Sequence, residues 1–90
     1  MNLLEAVQKM PKADDDLTIY ARQPWSPRAE AVLAIEGSEE EVEAKARGFE
    51  YFLEVFIARE FLDDWRPTQR KAPTDLECCE RLIGYAVNDA

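Results

Sequence analysis

Leu3, Leu4, Val7 and Met10 fall on one face of a helix that Asn2 can cap, with Glu5 answering three residues on and Pro11 stopping it. The pattern predicts a short docking helix over residues 3–10. After a polar connector at residues 12–16, apolar and polar positions alternate among β-formers in residues 17–22 and again in residues 30–36, with a turn at Pro24, Trp25, Ser26 and Pro27 between them. Two antiparallel strands are expected. Ser38 and Glu41 make a second capping box, residues 39–47 read as a polar helix of one or two turns, and Gly48 is placed to end it.

Residues 49–65 carry two periods at once. Phe49, Tyr51, Leu53, Val55 and Ile57 alternate as in a strand, whereas Phe49, Phe52, Leu53, Phe56, Ile57, Phe61 and Trp65 follow a helix. Periodicity does not arbitrate. From Ile57 to Trp65 only the helical spacing survives, so a helix is expected there, while residues 49–54 stay open between a third strand and a helix. The segment is core in either case. Residues 66–72 form a basic loop. Pro73, Thr74 as N-cap and Glu77 then give the clearest helix start in the chain, followed by the buried stripe Leu76, Cys79, Leu82, Ile83 and Ala86, with Cys78 on the helix flank. The expected fold is one α+β domain over residues 1–90: a two- or three-stranded antiparallel sheet packed against about three helices, the longest in the C-terminal half.

Composition narrows the classes. At 47 % hydrophobic with nine aromatic residues, the chain is too apolar for intrinsic disorder although 33 % of it is charged. Ninety residues bury only roughly 60 to 65 % of the unfolded surface, so the core is thin. No apolar run approaches the ~18 residues that span a bilayer. The start Met1 to Glu5 lacks the basic end and apolar stretch of a signal peptide, and a cytoplasmic location is expected. Cys78 and Cys79 are adjacent, which disfavours a structural disulfide and fits reduced thiols.

Charge changes the picture most. Nineteen acidic residues against 11 basic ones leave a net charge of −8, at the upper edge of what solubility alone requires. The chain has no histidine, no glycine-rich phosphate loop and no CxxC pair, so neither a cofactor nor a metal site is expected. Glu50 and Glu54 would couple at i, i+4 on a helix, but nothing nearby completes a catalytic pocket, and no enzyme is expected. Glu36, Glu39, Glu40, Glu41 and Glu43 put five carboxylates in eight residues, a field that suits either a basic partner or merely the start of a helix. Asp63 and Asp64 beside Glu60 make a second cluster, screened by Arg59 and Arg66. Trp25, held between prolines, is either folded over the sheet or offered as an interface anchor. Arg66, Arg70 and Lys71 are a poor nucleic-acid footprint on so acidic a chain. The expected partner is a protein with a basic surface, with no direct nucleic acid and no membrane.

The C-terminal third, from residues 49–65 through Pro73 and Thr74 to Tyr85, Asn88, Asp89 and Ala90, resembles an uncharacterised family of small acidic bacterial proteins ending in Tyr-x-x-Asn-Asp-Ala. That family is similar in size and acidity to toxin-immunity proteins and to phage-encoded inhibitors of host defence nucleases, including anti-CRISPR proteins. The resemblance implies a stoichiometric inhibitor with no catalytic residues to transfer. Read without it, Asn88 can take the left-handed conformation that ends helices, and Tyr85 can pack its ring with a wet hydroxyl. The rival expectation is a homodimeric structural or regulatory module whose acidity serves solubility and whose Phe and Trp residues meet across a symmetric interface.

Overall fold

The computed structural model describes residues 1–89. Helix α1 (Leu3–Lys9) opens with the expected capping box, the Asn2 side chain accepting from Glu5 N–H and the Glu5 carboxylate accepting from Asn2 N–H, each at 2.9 Å. A 3₁₀ turn at Met10–Lys12 follows, then strand β1 (Leu17–Ala21), strand β2 (Ala31–Ile35), helix α2 (Glu39–Ala46), strand β3 (Glu50–Glu54), helix α3 (Val55–Trp65), a 3₁₀ turn at Arg66–Thr68 and helix α4 (Asp75–Asp89). The fold is α+β.

The sheet is antiparallel in the order β2-β1-β3. Because β1 is central, both of its faces are covered: Ile19 and Ala21 join the main core with α1, α3 and α4, while Tyr20 packs on the other face with Ala34, Ala44 and Phe49. Leu17 lies opposite Ile35 and Thr18 opposite Glu54, so the start of β1 and the ends of β2 and β3 meet at one end of the sheet. Gly48, at φ +90°, ends α2 in the left-handed conformation that a side chain resists.

The double period of residues 49–65 is resolved by using both periods in succession. β3 ends at Glu54, whose extended backbone serves as the N-cap of α3, so the helix begins at Val55 with no loop between. Pairing shifts between Ile19, opposite Leu53, and Tyr20, opposite Tyr51, which leaves Phe52 as the extra residue of a β-bulge. The bulge lets the consecutive Phe52 and Leu53 both enter the core, and that breaks the alternation a regular strand would show.

α4 departs from the expected stripe. Cys78 is buried together with Cys79, whereas Leu76 in the first turn is 46 % exposed. Packing against both α1 and α3 widens the buried arc of α4 enough to take in the flank position. Burial, with the charge of Glu80 second, pushes the Cys79 thiol up to about 11. Both thiols should therefore ignore a water-soluble disulfide reagent in the native protein at pH 8 and react only on unfolding; rapid native labelling would contradict this packing. Asn88 does not turn left-handed, since no non-glycine residue has positive φ among the described residues. Its amide instead donates to the Gly84 carbonyl at 2.8 Å within the helix. Ala90 lies outside the described residues.

Arg59 ties α3 to the connector between α1 and β1. From α3 its guanidinium donates to the carbonyls of Met10 and Ala13 and pairs with Asp15, fixing the connector that leads into β1.

Candidate protein-binding surface at the acidic end of the sheet

The hairpin register decides where the acids go. Asp15 and Asp16 lead into β1, Glu36 leaves β2 and Glu54 closes β3, so four carboxylates distant in sequence arrive at one end of the sheet. The direct turn from β3 into α3 adds Phe56, which stands 54 % exposed over that end. Together with Leu17 and Thr18 these residues line an open recess of about 350 Å³. Arg59 neutralises Asp15, whereas Asp16, Glu36 and Glu54 form no ion pair among the described residues.

Unpaired like charges around a half-exposed aromatic ring give a negative potential over an apolar wall. A lysine or arginine of another protein satisfies both, since its charge meets carboxylates and its stem or guanidinium plane meets the ring. Tyr51 beside the recess is 41 % exposed. Burial first, then the charges of Glu54 and Glu36, push its hydroxyl above the ordinary value, so it stays a neutral phenol that can donate a hydrogen bond. Among the described residues no three His, Cys, Asp or Glu side chains converge as metal ligands.

The residues expected from the acidic stretch divide. Glu36 belongs to the recess. Glu39 and Glu40 are exposed on the first turn of α2, and Glu43 is exposed with Arg47 at 4.0 Å. Glu41 turns inward: its side chain is only 12 % exposed, Tyr20 Oη donates to one carboxylate oxygen at 2.5 Å, and Gly37 N–H donates to the other at 2.9 Å. Lys45 stands 3.5 Å away. The expected second capping box is thus half made: Ser38 Oγ accepts from Glu41 N–H, but the Glu41 carboxylate is taken by Tyr20 and Gly37. Glu41 holds α2 on the sheet and is not free for a partner.

The Tyr20 hydrogen bond, followed by that of Gly37, holds the Glu41 carboxyl below its ordinary value of 4.5, while burial and the Glu41 bond raise the Tyr20 hydroxyl. A carboxyl depressed by folding stabilises the fold above its ordinary value, and that contribution is lost as pH falls through the lowered one. Thermal melts from pH 6 down to pH 2.5 should therefore show a steeper acid loss for the native chain than for Glu41→Gln. Parallel curves would remove Glu41 from the network.

Trp25 is folded back over the core. It meets Phe52 edge-on at 5.0 Å and donates from Nε1 to the Ala21 carbonyl at 3.3 Å, at the far end of the sheet from the recess. Asp63 pairs with Arg66 at 3.7 Å, and Asp64 lines a separate recess with Glu60, Phe61 and Tyr85, where the Tyr85 ring stacks on Phe61 at 4.4 Å. Glu50 and Glu54 sit at the two ends of β3, so the helical i, i+4 pair does not form. Asp15, Asp16, Glu54 and Phe56 were not legible as site residues. The available signal was the acidic run Asp14, Asp15 and Asp16 directly before a strand whose hairpin partner ends in Glu36.

No helix among the described residues is long and apolar enough to cross a membrane. Comparison with protein-family models, with curated proteins and with solved structures finds no match to this chain.

Proposed function

We propose that this protein acts in the cytoplasm as a non-enzymatic, stoichiometric binder that covers a basic surface of another protein, such as a nuclease or a nucleic-acid-binding effector. The observation that carries the reading is the set of unpaired carboxylates Asp16, Glu36 and Glu54 around the half-exposed Phe56. Like charges gathered around an apolar surface cost stability in the free protein, and a cationic partner relieves that cost while the negative field speeds its approach. Phe49 and Phe52 are buried and Trp25 is laid on Phe52, so these rings do not serve a symmetric homodimer. The exposed Phe56 stands among acids, where a second copy of net charge −8 is repelled, which favours a hetero-partner.

The test is affinity capture from the native host lysate at about 50 and about 300 mM salt, a range over which screening of exposed charges grows strongly. A basic protein held at equal stoichiometry and released at the higher salt supports the reading. Recovery of the protein alone at both salts contradicts it.

A further inference from the structure

The sheet face that carries the main core is covered unevenly along β2. Ala31, Leu33 and Ile35 lie opposite Ala21, Ile19 and Leu17, and directly opposed residues of an antiparallel pair share a face, so all of them belong to the side on which α1 packs. Burial falls along β2: Ala31 is 1 % exposed, Leu33 is half-buried and Ile35 is 49 % exposed. The route of the chain is the cause. α1 ends at Lys9, and the 3₁₀ turn at Met10–Lys12 packs on α3 and leads into β1, leaving the last core-facing positions of β2 uncovered.

The space left is an open recess of about 590 Å³, within the range of roughly 300 to 1,000 Å³ usual for small-molecule sites. Leu17 and Leu33 line it together with Pro11 and Ala13, and Ile35, opposite Leu17, continues their apolar surface. The polar lining sets Lys9 and Lys12 against one acid, Asp14, the reverse of a chain of net charge −8. Both lysines are exposed and form no ion pair among the described residues. The Met10 and Ala13 carbonyls, acceptors that would repel an anion, are taken by Arg59. Charge chooses the occupant. A basic partner seated on the acidic end is repelled by these lysines, and an uncharged molecule leaves them unused. A carboxylate on an alkyl chain meets both features: its head accepts charge-assisted hydrogen bonds from the ammonium groups, and its chain covers apolar surface that water otherwise wets.

We propose that the recess between the Met10–Lys12 turn and β2 binds a small anionic amphiphile, a medium-chain carboxylate, with its head on Lys9 and Lys12 and its tail along Leu17, Leu33 and Ile35. The site adjoins the acidic recess at Leu17, which lines both, but does not depend on a protein binding there.

The test follows backbone amide chemical shifts by NMR while sodium decanoate is added below its micelle concentration at about pH 7. Saturable shifts should appear at residues 8–14, 17 and 33–35. Butyrate, which has the head without the long tail, should not saturate over the same range, and decyltrimethylammonium, which has the tail on a cationic head, should leave residues 8–12 and 33 unshifted. Lys9→Gln/Lys12→Gln should weaken decanoate binding about fivefold, the combined scale of two exposed charge pairs. Arg70→Gln/Lys71→Gln removes the same charge from the exposed loop before α4 and should leave the affinity unchanged. Absence of saturable shifts, shifts confined to other faces, equal response of residues 8–12 and 33 to the two decyl probes, or equal weakening by the two double variants would overturn the site.

Discussion

Phe52→Ala should destabilise the fold by about 3 to 5 kcal/mol, the range for removing a buried aromatic ring from a core. Against a total of roughly 5 to 13 kcal/mol for a chain of this length, that is a large fraction. Phe52 is fully buried and is the extra residue of the bulge, so it fills core volume that no regular strand position reaches. It is also the surface on which Trp25 rests edge-on. The truncation should therefore shift Trp25 fluorescence to the red even before unfolding, because the indole loses its apolar support. Phe56→Ala is the contrast: its ring is half exposed, and surface truncations fall within about 0.5 kcal/mol. Urea unfolding followed by circular dichroism measures both. A cost below about 1 kcal/mol for Phe52→Ala would contradict the bulge as a core element.

Reversing charge at the recess should slow association with the partner by about ten- to a hundredfold at low salt, the scale on which electrostatic steering acts. The variant is Asp16→Lys/Glu36→Lys, two exposed acids without ion pairs on the lip of the recess. The control is Glu39→Lys/Glu40→Lys, which changes the net charge by the same amount on the exposed first turn of α2. A general effect of net charge would slow both variants alike. A local surface slows the first far more than the second, and the gap closes as salt rises. Stopped-flow association across a salt series separates the two cases.

The contrast between these two double variants also marks what the sequence made legible. Capping signals placed α1, α2 and α4 because Asn2, Ser38 and Thr74 satisfy orphan backbone donors through bonds that span three residues. Local chemistry of that kind is readable from local sequence. Glu41 was not, because its partners are Gly37 and the distant Tyr20, and only tertiary structure turns a surface-like glutamate into a brace. Asp15, Asp16 and Glu54 were missed for the same reason: they become neighbours of Glu36 only through the register of a three-stranded sheet. The strand over residues 50–54 stayed ambiguous because a bulge breaks alternation where a helix reading gains support. Trp25, flanked by prolines, carried no local sign of whether its ring faces inward or outward, and the underlying Phe52 decided it.

The measurement that bears most directly on a binding surface at the acidic end of the sheet is a hydrogen-exchange footprint of the captured complex against the free protein. Protection concentrated at residues 15–18, at Glu36 and at residues 50–56 is the predicted result. Protection confined to the outer face of α2, to the Trp25 turn or to the Phe61–Tyr85 recess, with the acidic end unchanged, would contradict it.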